Sequence, residues 1–155
     1  MIPRASRQIR TVLDGFRIVP AYVLLGLLKH LVPLRSLAKW MWCETTGPRD
    51  RLAERRLAAN VLRLSKRLGI ADRDCLQRSL LLYRLLSAAG ADPQLVVSFR
   101  EQDGKIIGHA WVLVDEVSIV EPESELVRFS PILRFGARGV LQETAAGYEP
   151  QGLMR

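Results

Sequence analysis

Cysteine is scarce in this chain, which has 155 residues but only two cysteines, Cys43 and Cys75. Two thiols are too few for a disulfide framework, and the chain has no Cys-x-x-Cys spacing of the kind that binds metal ions. We therefore expect a protein of a reducing compartment, the cytoplasm, that works without a metal ion or another cofactor.

A long apolar run is also missing from the N-terminal part. Residues 18–28 are apolar and uncharged, with Pro20 inside, but a membrane-spanning helix needs about 20 such residues. No small-residue cleavage site for a signal peptidase follows the run. We predict a core or interfacial helix here. A peripheral contact of residues 1–45 with a membrane surface stays open, because basic residues flank the run.

Acidic residues are in deficit, since 16 Asp and Glu stand against 23 Lys and Arg, for a net charge of +7. Such a surplus favours an acidic partner. Nucleic acid is an unfavoured partner, because the chain has no nucleic-acid-binding motif and no interleaving of aromatic and basic residues. One predicted helix after residue 48 carries a basic face, which is either solvated or a docking surface for a peptide or lipid. Its members are Arg51, Arg55, Arg56, Arg63, Lys66 and Arg67.

The spacing of the apolar residues changes along the chain. Before Gly90 the spacing is helical, and the helix that begins near Cys75 is apolar on nearly all sides, so we expect other elements to cover it. After Gly90 the pattern is typical of an antiparallel meander, with an Asp-Gly hairpin turn. The predicted strands span residues 95–99, 106–114 and 117–120, and residues 129–135 form one more strand or a covering loop.

Helices followed by antiparallel strands predict an α+β fold in a single domain. We divide the chain into an N-terminal helical extension over residues 1–45, a catalytic core over residues 46–140 and a loose tail over residues 141–155. In the core, the central helix that bears Cys75 packs on a small antiparallel sheet.

Cys75 and His109 are the candidate catalytic pair. Cys75 lies at a helix start, where the backbone N–H groups and the helix dipole stabilise a thiolate, and Arg78 adds positive charge one turn further on. His109 lies in a strand between Gly108 and Ala110, two small residues that leave room for another group to approach. A thiol and an imidazole in these positions are the two halves of a cysteine nucleophile site.

Strand alternation predicts how these two residues meet. His109 shares its strand face with apolar residues, so we predict that this face packs on the central helix near Cys75. The other members of the face are Ile107, Trp111 and Leu113. A third group has to orient the imidazole. We predict Glu121 in this role, because a tight turn brings it opposite residue 109 or 110, and Glu123 is the second candidate.

Together these motifs resemble the transglutaminase-like B proteins of lasso-peptide biosynthesis, a family of microcin-processing cysteine proteases. The resemblance rests on Cys75-Leu76-Gln77-Arg78-Ser79 and, further on, His109-Ala110-Trp111-Val112. It covers about residues 50–135 well and the first 50 residues more loosely. It implies a papain/transglutaminase-type fold, a Cys-His-Asp triad, and removal of the leader from a ribosomally made precursor peptide.

The same resemblance implies three partners: the precursor peptide, a leader-binding protein and an ATP-dependent lasso cyclase. The chain has no apparent leader-binding domain, so it resembles the stand-alone leader peptidase. One position departs from the family, which usually has Asp twelve residues after the histidine, where this chain has Glu121. Glu keeps the charge but adds a methylene, so the imidazole or the strand has to adjust.

We therefore predict a cysteine peptidase in which Cys75 is the nucleophile, His109 the base and Glu121 the orienting acid. Cys43 has no useful neighbour in the sequence and is interpreted as a structural thiol. Two alternatives stay open. The same pair could transfer an acyl group to an amine, because fold does not distinguish transfer from hydrolysis. The chain could also be a catalytically inactive adaptor that binds a peptide or membrane through its basic N-terminal half.

Overall fold

The computed structural model describes residues 20, 22–45, 48–67, 69, 74–129 and 131–144. Its helices are α1 (described over residues 22–31), α2 (Leu34–Met41), α3 (Arg51–Arg67), α4 (Cys75–Ala88) and α5 (Glu123–Leu126), with a 3-10 turn at Ala137–Gly139. Its strands are β1 (Pro93–Gln102), β2 (Lys105–Val114), β3 (Val117–Ser118), β4 (Pro131–Phe135) and β5 (Leu141–Thr144). The predicted α+β fold is confirmed.

The strands form one antiparallel sheet in the order β3-β2-β1-β4-β5. The predicted hairpin is present: Asp103 and Gly104 both have positive φ, 52° and 71°, as a type I′ turn requires. The sequence predicts a meander of β1, β2 and β3, and this part is confirmed. On the other side of β1, β4 supplies a fourth strand and β5 a fifth.

Several strand boundaries differ from the prediction: β1 spans Pro93–Gln102 instead of residues 95–99, and β4 begins at Pro131 instead of residue 129. β3 ends at Ser118 instead of residue 120, because the chain bends after the Ile119 N–H donates to the Val112 carbonyl at 3.1 Å. The tail predicted to be loose begins with β5, Leu141–Thr144. Its sequence, Leu-Gln-Glu-Thr, has little apolar alternation, and backbone pairing with β4 stabilises it instead. Residues 145–155 of that tail lie outside the described residues.

Helix α4 is the central element, as its apolar sequence predicts. Four of its leucines are at most 1 % exposed: Leu80, Leu81, Leu82 and Leu86. Its buried polar side chains bind neighbouring backbone groups. The Ser79 hydroxyl donates to the Ala110 carbonyl in β2 at 2.9 Å, and the Gln77 amide donates to the Tyr22 carbonyl in α1. These bonds hold α4 against both the sheet and the first helix.

The two faces of the sheet pack against different cores. On one face Leu95, Val97, Ala110, Val112 and Val114 join the helices in the main core. On the other face a smaller cluster contains Val96, Trp111 and Leu113, with Leu126 and Phe129 packed against it. The predicted orientation of β2 is therefore wrong, because Trp111 and Leu113 face away from α4. Both sets of alternating residues in β2 are apolar, so hydrophobicity alone does not choose between them.

The 3-10 turn after β4 fixes the position of α2. The Tyr83 hydroxyl of α4 donates to the Gly136 carbonyl and accepts from the Gly139 N–H at 3.0 Å. Burial raises the pKa of Tyr83 to about 12, so this hydroxyl keeps its proton. Gly139 has a φ of +65°, and a Cβ there would lie 2.4 Å from the backbone nitrogen of Lys39. Glycine thus allows the turn to contact the α2 backbone directly.

Candidate active site

Cys75 is the first residue of α4 and is half-buried. Its thiol lies 3.9 Å from the carbonyl oxygen of Gly108 in β2, to which it donates. The first N–H groups of a helix have no partner within the helix, so they surround the thiol with partial positive charge. The carboxylate of the preceding residue, Asp74, forms an ion pair with Lys29 of α1. Lys29 thereby offsets the negative charge closest to the thiol along the chain.

A cavity of about 200 Å³ opens beside this thiol. Residues from α1, α2, α4 and both strands of the hairpin line it, and Cys75 and His109 are both among them. The lining residues are Lys29, Val32, Leu34, Leu37, Cys75, Leu76, Val97, Phe99, Gly108, His109 and Ala110. The cavity therefore gives a substrate access to the Cys75 thiol, and His109 of β2 is also part of its wall.

His109 is half-buried, and its ring contacts two aromatic side chains that also contact each other. The ring centroids lie 5.7 Å from Trp111 and 4.9 Å from Phe129, with interplanar angles of 25° and 28°. Burial lowers the pKa of His109 below its usual 6.5, and the negative charge of Glu121 opposes this effect. A lowered pKa leaves the imidazole neutral at neutral pH, which is the form that accepts a proton.

Glu121 is buried, with 8 % of its surface exposed, and pairs with a buried arginine. Its Oε1 accepts from the guanidinium of Arg78 at 2.6 Å. Its N–H donates to the Ser118 hydroxyl at 3.1 Å, and that hydroxyl lies 3.5 Å from Oε2. The sequence predicts that Arg78 supports the Cys75 thiolate, but in the structure its guanidinium binds Glu121. Two buried opposite charges satisfy each other, whereas either one alone would be costly.

Cys75 and His109 both contribute to the wall of one cavity, but the His109 ring lies with Trp111 and Phe129 on the sheet face that points away from α4. The predicted way in which the imidazole meets the thiol, through a strand face packed on α4, is therefore wrong. The charge of Glu121 acts on the imidazole. Within the described residues, no hydrogen bond joins His109 to Cys75 or to Glu121. Catalytic hydrogen bonds are often long in a free enzyme and tighten when substrate binds. The second candidate acid, Glu123, begins α5, and its side chain lies outside the described part of the chain. The three catalytic roles remain predictions.

The part that α1 and α2 play in the cavity was not predicted from the sequence. Residues 1–45 were predicted to form an extension, yet Lys29, Leu34 and Leu37 line the cavity wall. One sequence signal for this packing is Gln77, a buried amide in a leucine-rich helix that needs a partner from another element. A second is Gly26, where a Cβ would lie 3.2 Å from the Gln77 amide nitrogen.

Cys43 has different surroundings from Cys75. It follows α2, is half-buried, and its N–H donates to the Ser87 hydroxyl at 3.1 Å. It is not among the residues that line the cavity. Nor does any group of three or more His, Cys, Asp or Glu within the described ranges form a metal site. The two thiols thus provide an internal comparison between a cavity position and a position elsewhere.

A cysteine at the start of a central helix, packed on an antiparallel sheet that carries a histidine, defines a papain/transglutaminase type of arrangement. A family model, the transglutaminase-like superfamily, matches residues 18–134 of this chain. The chain belongs to the transglutaminase-like superfamily, which generally contains cysteine-based enzymes. The matched range includes α1 and α2 as well as Cys75 and His109. No curated protein and no solved structure matches the chain.

Proposed function

We propose that this protein is a cysteine peptidase that removes the leader from a ribosomally made precursor peptide during lasso-peptide maturation. One observation carries the proposal: Cys75, at the first position of α4, and His109 line the same cavity in a chain of the transglutaminase-like superfamily. The motifs around both residues, which resemble the lasso-peptide B proteins, narrow the substrate to a precursor peptide.

The proposed reaction is acyl transfer through a thioester. Cys75 loses its thiol proton to the neutral imidazole of His109, and the sulfur attacks the scissile carbonyl carbon. The backbone N–H groups at the start of α4 stabilise the developing oxyanion. His109 then gives the proton to the leaving amine. A water molecule, deprotonated by His109, finally attacks the thioester, which releases the acid product and the free thiol.

Glu121 is the proposed orienting acid for His109. Its carboxylate uses Oε1 for Arg78, so Oε2, which lies near the Ser118 hydroxyl, is the oxygen we assign to the imidazole. Such a bond would fix the tautomer of the ring and stabilise the imidazolium that forms during the reaction. The extra methylene of Glu relative to Asp gives the carboxylate the reach to hold Arg78 while it approaches the ring.

The proposed partners are the precursor peptide, a leader-binding protein and a lasso cyclase, which would act together in the cytoplasm. The basic face of α3 favours an acidic partner, because all six of its Arg and Lys residues are exposed. A contact of α1 with the inner membrane surface stays a prediction. No helix of the described ranges is long and apolar enough to cross a membrane. One side of α1 is nevertheless apolar and exposed, at Val23, Leu24, Leu27 and Leu31.

The decisive experiment incubates the protein with the precursor peptide encoded beside it and with its leader-binding protein, and follows the products by mass spectrometry. We expect a single cut at the junction between leader and core, absent with Cys75→Ala and present with Cys43→Ala. An uncut precursor that is shown to be bound would contradict the proposal and favour the adaptor. Added primary amine distinguishes hydrolysis from transfer, because a transferase would yield a leader amide in place of the acid.

A further inference from the structure

The cavity beside Cys75 has a wall that is apolar almost throughout. Its apolar side chains come from two layers, the N-terminal helices on one side and α4 with β1 on the other. The first layer contributes Val32, Leu34 and Leu37, and the second contributes Leu76, Val97 and Phe99. Apolar walls of this kind favour a ligand group without charge, because any polar group placed there would lose its water without gaining a partner.

The positive charge that Lys29 brings to the cavity wall is neutralised by a neighbouring carboxylate. Lys29 lines the cavity, and its ammonium group is paired with the Asp74 carboxylate. The side chains of this pair are only 17 % and 25 % exposed, so the pair is partly shielded from water. A carboxylate on the substrate would have to compete with Asp74 for the ammonium group. The charge distribution therefore disfavours an acidic side chain as well as a basic one.

The size of the cavity fits a single side chain. Apolar protein cavities of about 150 Å³ are large enough to take up benzene. A cavity of about 200 Å³ is therefore large enough for the side chain of Leu, Ile or Phe. Because Cys75 itself lies on the wall, a residue whose side chain fills the cavity has its backbone within reach of the thiol.

We infer that this cavity binds one apolar side chain of the peptide substrate, from a residue next to the bond that is cut, and that α1 and α2 form its outer wall. The inference rests on the proposed function for the identity of the substrate as a peptide, but the cavity itself is testable without any cleavage. The N-terminal helices then belong to the substrate-binding site, and are more than an extension of the catalytic core.

Small alkylating agents test the cavity directly. We would compare the rates at which iodoacetamide and N-isobutyl iodoacetamide modify Cys75 and Cys43, measured by mass spectrometry of the digested protein, with glutathione as the free-thiol reference. We expect the ratio of isobutyl to plain reagent to be about tenfold higher at Cys75 than for glutathione, since burying one small apolar group is worth roughly that factor. At Cys43, which lies outside the cavity, we expect no such preference.

Two neighbouring residues provide matched variants. Val32 lines the cavity, so Val32→Trp should fill it and remove the isobutyl preference at Cys75. Leu31 is 80 % exposed and is not among the lining residues, so Leu31→Trp should keep the preference. Val32→Phe is the smaller replacement if the tryptophan variant does not fold.

The alkylation results test the cavity inference and the peptidase proposal separately. An isobutyl-to-plain ratio at Cys75 equal to that of glutathione would overturn the cavity inference, as would a preference that survives in a folded Val32 variant. Plain iodoacetamide that modifies Cys75 no faster than Cys43 would count against the peptidase, while the ratio would still test the cavity. Once cleavage is established, a series of peptides in which each residue flanking the cut is replaced by Leu or by Asp tests the same cavity. At one position the Leu peptide should be cleaved about tenfold or more faster than the Asp peptide. Val32→Trp should remove this difference in cleavage rate.

Discussion

The two faces of the sheet differ in how firmly they are covered. On the helical face, Leu80 of α4, Leu95 of β1 and Phe135 of β4 are completely buried in one large core. On the other face, Trp111 and Leu113 are covered by half-buried Leu126 and Phe129, which belong to the four-residue helix α5 and the residues after it. One face is thus a well-packed core, and the other is a smaller cluster under a short segment.

The predicted nucleophile and the predicted base lie on opposite faces of the sheet. Cys75 begins α4 on the helical face, whereas the His109 ring stacks on Trp111 and Phe129 on the other face. A rigid core therefore positions the thiol, and the more thinly covered side holds the imidazole. Any adjustment that brings the two groups together costs least on the side of His109, because fewer packed side chains have to move there.

The ion pair between α4 and the segment after β3 should give the largest effect on stability. Glu121→Gln preserves the shape of the side chain but leaves the buried Arg78 guanidinium without its carboxylate. We expect a loss of about 3–5 kcal/mol in the free energy of unfolding, measured by urea denaturation. Glu116→Gln is the matched control, because the Glu116 side chain is 63 % exposed in its pair with Arg134 and should lose less than about 1 kcal/mol. Equal losses would show that the Arg78 pair is not buried in solution.

A Leu→Ala substitution on each face of the sheet, compared by the loss in the free energy of unfolding, measures how differently the two faces are packed. Leu80→Ala removes a completely buried side chain from the helical core, and we expect it to cost about 3 kcal/mol or more. Leu126→Ala removes a half-buried side chain from α5, and we expect about 1 kcal/mol. Urea denaturation of the two variants gives the comparison. A Leu126→Ala cost as large as that of Leu80→Ala would mean that both faces belong to one equally firm core.

The fold was predictable where a local signal had one physical solution. The Asp103-Gly104 turn, the buried helix from Cys75 and the closing Gly90, with φ of 84°, all follow from short-range chemistry. The face of β2 was not predictable, because Ala110 and Val112 on one side are as apolar as Trp111 and Leu113 on the other. Choosing between them requires the packing of α4, which the sequence of β2 does not contain.

The candidate site likewise has features that local motifs predict and contacts that only long-range packing decides. The motifs predicted Cys75 and His109 as a catalytic pair, and both residues contribute to the wall of one cavity. The partner of Arg78 was missed because Glu121 is 43 positions away in the chain, and helical spacing says nothing about a contact at that separation. The cavity wall from α1 and α2 was missed for the same reason, since long-range packing decides which apolar face of a short helix is buried.

The contact between Phe129 and the His109 ring predicts a smaller effect, which is a change in the pKa of the imidazole. Phe129→Ala removes one of the two rings that cover His109. Because burial is the main cause of the lowered pKa of His109, we expect this pKa to rise toward 6.5. A titration of the imidazole C–H signals by NMR measures it. Val127→Ala, at a neighbouring residue that is 84 % exposed, should leave the pKa unchanged. A pKa that stays low in Phe129→Ala would mean that other groups desolvate the ring.

The smallest expected effect is a dependence of stability on pH that arises from the same imidazole. The pKa of His109 is lower in the folded protein than in the unfolded chain, where it is about 6.5, so below that pH the unfolded chain binds more protons. The contribution of His109 is therefore fully present above about pH 7.5 and declines as the pH falls through 6.5 toward the folded pKa. Urea denaturation at about pH 5 and about pH 8 should show that His109→Gln removes part of the acid destabilisation, whereas His30→Gln, at an exposed histidine, should not. If both variants keep the full acid loss, it comes from carboxylates that are paired in the folded state, and His109 is more solvated than its contacts with Trp111 and Phe129 imply.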